Sequence, residues 1–200
     1  MRARYSLVAI ALVLVGCATD RTAETPTPTA HTPTASASAE AKPVAETFTM
    51  PTLCSQILPT SRVDAWLGES IALLGGPDGK YGDDYLAEPS PEQELGGITC
   101  IWGPSDSENS SVTISVAPLG AGTRAAVVKD LAINQGLNEE VLTEVTLYWQ
   151  HGDTELEPAI LNVLRPESWI SVIQTLGGLP SFAEAEDLAD EVHGLVYRPS

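Results

Sequence analysis

Thr, Pro, Ala and Ser make up most of residues 18–48, and this tract limits the part of the chain that can fold. A segment with so few large apolar side chains cannot bury enough surface to offset the conformational entropy lost on folding. We therefore expect residues 17–48 to form a disordered tether. Residues 49–200 number about 150, the size of a single domain that buries roughly two-thirds of its surface.

A basic start and a short apolar stretch precede the tether. Arg2 and Arg4 are followed by an uncharged run from Leu7 to Val15, which has the length of a signal-peptide core and is too short to span a bilayer. The run ends in Leu14-Val15-Gly16-Cys17, the form of a bacterial lipobox. The pattern predicts a signal peptide over residues 1–16 and a diacylglyceryl group on the Cys17 thiol. The alternative is an ordinary secretory signal with a coincidental cysteine.

This prediction places the chain on the extracytoplasmic face of the cell membrane, attached through its lipid. Removing residues 1–16 takes away two of the ten basic residues and none of the 27 acidic ones, so the net charge falls from −17 to −19. Such acidity argues against nucleic acid as a partner and against a basic patch that binds anionic lipid. We therefore expect membrane attachment through the acyl chains alone.

Three cysteines are present, and lipid on Cys17 would leave Cys54 and Cys100 as the remaining thiols. Paired cysteines are the usual outcome in an oxidising compartment, so we predict a disulfide between them. In the chain-entropy account, a closed loop of about 47 residues contributes roughly 4 kcal/mol of stability. A redox-active pair is the alternative, but such pairs usually have the Cys-x-x-Cys spacing.

The apolar patterning of residues 49–200 predicts an α+β fold in which helices cover one face of an antiparallel sheet. Two halves share the order helix, strand, hairpin, and a final helix begins after Ser181. The expected helices lie at residues 62–67, 123–132 and 182–192. The expected strands lie at residues 71–74, 98–102, 112–117, 141–149, 160–164 and 169–175. Residues 75–97, rich in Gly, Pro and Asp, are expected to form a long loop.

The region around the two cysteines resembles a known pattern. Cys54 precedes Leu58, a short helix ends in Trp66-Leu67-Gly68, and Cys100-Ile101-Trp102 follows. This arrangement, behind a lipobox and a Thr/Pro/Ser-rich tether, is similar to actinobacterial envelope lipoproteins that carry a small domain of unknown function. The resemblance implies a cell-envelope location and implies no activity.

The usual catalytic residues are scarce. The chain has no Gly-x-Ser-x-Gly nucleophile elbow, and its histidines are His31 in the tether, His151 in a predicted turn and His193 near the end of the last helix. No set of ligands has the spacing of a zinc site, so we expect neither metal nor cofactor. We therefore predict a protein that is not an enzyme.

Pairs of carboxylates are the strongest exception to this prediction, because two of them can suffice for glycosidic hydrolysis. Asp83 with Asp84, or Glu92 with Glu94, could supply such a pair. Both pairs lie in the predicted loop, however, and a solvated carboxyl group lacks the burial that raises the pKa of a general acid.

The loop from Asp78 to Tyr85 is the polar segment with the most interest for binding. Its aspartates lack the order of a calcium-binding loop, and Lys80 lies among them. Long loops in compact domains are often functional, so Tyr81, Asp83, Asp84 and Tyr85 are candidates for contact with a partner. The alternative is a plain solvated loop.

Three hypotheses for function follow from these observations. The first is a non-enzymatic lipoprotein that binds an envelope protein or a small envelope component, and an exposed aromatic patch around Tyr81 and Tyr85 would favour it. The second is an envelope hydrolase, which requires a cluster of His and carboxylates in one cleft. The third is a carrier of an apolar ligand, which requires a large cavity beneath the helices.

Overall fold

The computed structural model of the chain describes residues 45–105, 111–153, 157–176 and 180–200. The strands within these ranges are β1 Glu46–Phe48, β2 Ile71–Gly75, β3 Ile98–Pro104, β4 Val112–Pro118, β5 Asn138–Val141, β6 Thr146–Gln150, β7 Ala159–Leu164, β8 Ser168–Gln174 and β9 Tyr197–Pro199. The helices are α1 Thr60–Gly68, α2 Pro91–Glu94, α3 Ala121–Lys129 and α4 Phe182–Val196. A π-helical turn, Asp130–Asn134, continues α3, and 3-10 turns cover Cys54–Gln56 and Asp83–Tyr85.

Seven strands form one sheet in the order β2-β3-β4-β8-β7-β6-β5, and every neighbouring pair is antiparallel. Apart from the short helix α2 and the edge strand β5, the order helix, strand, hairpin occurs twice, as α1-β2-β3-β4 and as α3-β6-β7-β8. Strands β4 and β8 pair at the centre and join the two halves. The predicted α+β class and antiparallel sheet are therefore confirmed.

Several features differ from the sequence-based expectation, which placed the helices on one face of the sheet, whereas α1 and α4 cover one face and α2 and α3 pack on the other. Residues 141–149, predicted as one strand, contain the turn of the hairpin β5–β6, because the chain reverses where the Leu142 amide donates to the Val145 carbonyl (2.8 Å). Residues 46–48, assigned to the tether, form β1 and pair with β9. The ordered domain therefore includes the last residues of the segment expected to be a tether.

One face of the sheet, here called the covered face, lies beneath α1 and α4. Alternate residues of the central strands point to it, among them Ile114 and Val172, both fully buried. Helix α4 contributes a stripe of buried side chains at helical spacing, which includes Leu188 and Val192. Burying one such side chain stabilises the fold by about 2 kcal/mol. Dense apolar packing therefore stabilises this side of the sheet.

The opposite face, here called the cleft face, carries the intervening residues of the same strands. At one end Val127 and Leu131, from α3 and its π-helical turn, pack against Tyr148 and Trp169. Helix α2 approaches another part of this face, where Gly97 lies so close to β4 that a Cβ atom would collide with the Val116 carbonyl oxygen. A cleft of about 360 Å³ opens between these elements.

None of the helices in the described ranges is both long enough and apolar enough to cross a membrane.

Candidate functional site

A disulfide joins Cys54 to Cys100, as predicted, with an S–S distance of 2.02 Å and a Cα–Cα distance of 5.6 Å. Both cysteines are fully buried. The bridge attaches the 3-10 turn Cys54–Gln56 to β3 on the covered face. It therefore fixes the segment before α1 to the sheet.

The residues that follow β2 form an ordered structure, here called the tyrosine loop (residues 76–86). The backbone amides of Lys80 and Tyr81 donate to the carbonyls of Leu73 and Leu74 over 3.1 and 2.8 Å, so the chain folds back along β2. Asp78 joins the loop to the disulfide region, because its carboxylate accepts from the Cys54 amide (3.1 Å). The loop is therefore fixed at several points by hydrogen bonds.

Tyr81 and Tyr85 lie side by side on the surface of this loop. Their ring centroids are 5.7 Å apart with an interplanar angle of 21°, and the two side chains are 50% and 40% exposed. The Tyr85 ring also packs on Gly75, where a Cβ atom would come within 2.7 Å of it. The Lys80 ammonium lies 4.9 Å from the centre of the Tyr81 ring. The arrangement presents an exposed aromatic surface on a fixed backbone.

The aspartates of the tyrosine loop have different environments. Asp83 and Asp84 are exposed and lie in the 3-10 turn, where they add negative charge beside the two tyrosines. The Asp78 carboxylate also accepts from the Ser55 hydroxyl (2.8 Å), so it has a structural role. Within the described ranges, no group of three or more His, Cys, Asp or Glu side chains is placed to hold a metal ion.

Glu92 is the functional candidate that the sequence analysis misjudged. It was expected to be a solvated loop carboxylate, but it lies in α2 and is 6% exposed. Burial, the largest effect, raises the pKa of Glu92 above its ordinary value, and hydrogen bonds from its own backbone amide, Ser90 and Ser171 oppose that rise. The expectation was wrong because the capping box of Ser90 and Gln93 begins a helical turn that rests on the sheet. Glu94, on the same turn, is exposed as expected.

Glu92 lies above a row of polar side chains on the cleft face. Thr99, Ser115, Ser171 and Asn162 are direct cross-strand neighbours on β3, β4, β8 and β7. Each is at most 5% exposed. The hydroxyls of Thr99 and Ser115 are 2.9 Å apart, and the Ser90 hydroxyl lies 2.6 Å from that of Thr99. Buried polar side chains are rare in the centre of a sheet unless they are hydrogen-bonded, and here four of them, called the polar row, lie side by side across four strands.

Asn162 is the last residue of the row on the side of α3, and it is hydrogen-bonded to Trp169. The Trp169 Nε1–H donates to Asn162 Oδ1 (2.9 Å), and Asn162 Nδ2 donates to the Tyr148 carbonyl (3.4 Å). Both Trp169 and Asn162 line the cleft and are buried. The sequence signal for this row was the alternation of Ser, Thr or Asn with large apolar residues in adjacent predicted strands.

The two histidines of the folded region lie away from this cleft. His151 is exposed and contacts Trp149 and Phe182, with ring centroids 4.7 and 4.5 Å apart. Burial, followed by the nearby Arg165 charge, lowers the pKa of His193, which stacks on Tyr197. Neither residue lines the cleft that contains Glu92.

Cys17, the predicted lipid site, lies outside the described residues, as do residues 1–16 and most of the predicted tether. Comparison of the chain with protein-family models, with curated proteins and with solved structures finds no significant match.

Proposed function

We propose that the chain is a membrane-anchored lipoprotein of the cell envelope and that its folded domain is a non-enzymatic binding module. The lipobox at Cys17 supports attachment to the extracytoplasmic face of the cell membrane. The tyrosine loop supports a role in binding, and the exposed pair Tyr81 and Tyr85 is the observation that carries the proposal.

The fixed backbone of the tyrosine loop favours binding. Tyrosine gives a large contact area with few rotatable bonds, and a side chain that is already oriented loses little entropy in a complex. The loop is held in place by its backbone hydrogen bonds to β2 and by the bond from the Cys54 amide to the Asp78 carboxylate. Stacking orients the two tyrosine rings. These contacts favour a binding surface over a plain solvated loop.

The charge around the tyrosines indicates the chemistry of the partner. Asp83 and Asp84 are exposed beside the rings, and the chain carries a net charge of −17. A protein surface that combines basic side chains with an apolar patch would complement both features. We therefore propose an envelope protein with such a surface as the partner.

Site-specific photo-crosslinking in intact cells tests this proposal. A photoreactive amino acid is placed at Tyr81 in one variant and at Ile133, which is 70% exposed, in a matched control. We expect a discrete protein adduct from position 81, lost when Tyr85→Ala is added, and none from position 133. The same adducts from both positions, or no adduct from position 81, would refute the tyrosine loop as the contact.

Metabolic labelling tests the anchor separately. A palmitate analogue should label the wild-type protein and leave Cys17→Ser unlabelled and unprocessed. Equal labelling of the two proteins would refute lipid attachment at Cys17 without bearing on the tyrosine loop.

The burial of Glu92 favours one second candidate, an envelope hydrolase. A carboxyl group with a raised pKa suits a general acid, and Glu88 lines the same cleft. Glycosidic hydrolysis needs two carboxyl groups that face the substrate, however, and Glu88 is exposed at the rim. Release of sugars from purified cell-wall glycan by the wild type, and not by Glu92→Gln, would establish this alternative over the binding module.

A further inference from the structure

The cleft above the polar row has the features of a second binding site, separate from the tyrosine loop. We propose that it binds a small organic cation, a protonated amine carried on a compact apolar body, with the Glu92 carboxylate as the counter-ion. The proposal does not depend on the partner of the tyrosine loop.

The charges of the cleft determine the sign of the ligand. Fifteen residues line the cleft, and the two that are charged, Glu88 and Glu92, are both acidic. Glu88 is exposed at the rim, whereas Glu92 is almost fully buried. Two negative groups repel an anion and attract a cation, and the acidic chain as a whole adds to this effect.

The surroundings of Glu92 indicate what the carboxylate lacks. A buried carboxylate is costly unless a positive charge or several hydrogen bonds compensate for it. Its own backbone amide and the hydroxyls of Ser90 and Ser171 supply hydrogen bonds, but no cationic side chain within the described ranges contributes to the pKa of Glu92. An ammonium group of a ligand would supply the missing charge and would favour the ionised form.

The hydroxyl groups suit an ammonium in particular. A primary ammonium has three N–H donors and no acceptor, so it needs oxygen atoms on more than one side. The cleft offers the Glu92 carboxylate together with hydroxyl oxygens from Ser90, Ser115 and Ser171. Hydroxyl groups can rotate to present a lone pair, so they can accept from the cation without a change in the backbone.

The size and walls of the cleft determine the rest of the ligand. A volume of about 360 Å³ lies at the lower end of the range for small-molecule sites. The apolar part of the wall consists of Leu86, Pro91, Leu131, Ile160, Trp169 and Ile173. An aromatic ring or short branched hydrocarbon bearing one amine would bury its apolar part against these side chains.

Three probes of the same shape and different charge test the proposal. The full chain, in a non-ionic detergent, is titrated with benzylammonium, benzyl alcohol and benzoate. Binding is followed by the NMR signal of the Trp169 indole N–H, assigned by loss in Trp169→Phe. We expect saturable binding of benzylammonium that is at least tenfold tighter than that of benzyl alcohol, and no binding of benzoate.

Two variants assign the effect to Glu92. Glu92→Gln should weaken benzylammonium binding at least tenfold and make the ammonium and the alcohol bind equally. Glu94→Gln removes the same charge from the exposed side of α2 and should leave both affinities unchanged. The proposal is overturned if no probe binds saturably, if benzyl alcohol or benzoate binds as tightly as benzylammonium, or if the two variants have equal effects.

Discussion

The two faces of the central sheet are built from the same strands but differ in what they contain. On the covered face, β4 and β8 contribute Ile114 and Val172, which pack without exposed surface beneath α4. On the cleft face, the same strands contribute Ser115 and Ser171, beneath the carboxyl group of Glu92. Apolar burial stabilises a fold, whereas a buried acid opposes it. The covered face therefore maintains the fold, and we propose that the cleft face serves binding.

Removal of the disulfide on the covered face should have the largest effect on stability. Cys54 and Cys100 are 46 positions apart, and loss of a cross-link over such a loop costs about 4 kcal/mol in the chain-entropy account. We expect Cys54→Ala with Cys100→Ala to lower the free energy of unfolding by about that amount, as measured by urea denaturation. The amides of Lys80 and Tyr81 should also exchange hydrogen faster. A loss below about 1 kcal/mol would show that the bridge contributes little to the fold.

A substitution that creates a cavity beneath α4 should have the next largest effect on stability. Leu188 is fully buried against the covered face, and replacement of such a leucine by alanine typically costs about 3 kcal/mol. We expect Leu188→Ala to lower the free energy of unfolding by that amount and to leave benzylammonium binding unchanged. Leu142→Ala, at a position 49% exposed, is the matched control and should change stability by less than about 0.5 kcal/mol. Equal losses in the two variants would contradict the assignment of the core.

Truncation of a polar residue on the cleft face should have a smaller effect on stability. Asn162→Ala leaves the Trp169 Nε1–H without its acceptor, and an unsatisfied buried donor costs about 1–3 kcal/mol. We expect a loss of about 1.5 kcal/mol in thermal unfolding, with a shift in the Trp169 indole resonance. Asn162→Asp keeps the acceptor oxygen and serves as the conservative comparison for that resonance. An unchanged resonance in Asn162→Ala would show that the hydrogen bond does not form in solution.

The sequence predicted the covered face better than the cleft face, for a physical reason. Apolar residues that recur at the period of a strand or helix indicate burial directly, as in residues 112–117 and after Ser181. The disulfide also followed from the cysteine count and the predicted compartment. Glu92 was missed because its burial depends on α2 resting on distant strands, with Ser171 79 positions away along the chain. Local composition around Gly96 and Gly97 indicated a loop and held no sign of that contact.

The tyrosine loop was partly predictable, less so than the covered face and more so than the burial of Glu92. The sequence indicated a loop here, and Tyr81 and Tyr85 are exposed on it, as the hypothesis of partner contact requires. The hydrogen bonds that return residues 80 and 81 to β2 were not predictable, because backbone amides leave no pattern in side-chain composition. Partner contact through this loop stays a prediction.

The stability of Glu92→Gln at two pH values tests most directly whether the buried acid of the cleft face opposes folding, in contrast to the apolar covered face. Burial raises the pKa of Glu92 above about 4.5, so the folded state keeps a proton that the unfolded chain releases as the pH rises past that value. Stability from this group is therefore present at low pH and is lost as the pH rises through the folded pKa. Glutamine, which does not titrate, avoids that loss.

In urea denaturation of the ligand-free protein, Glu92→Gln should have the same free energy of unfolding as the wild type at pH 4 and a higher one at pH 8. Glu94→Gln should show no such change between the two pH values. A Glu92→Gln protein less stable than the wild type at pH 8 would show that the carboxylate stabilises the fold, and it would contradict a cleft face maintained for binding.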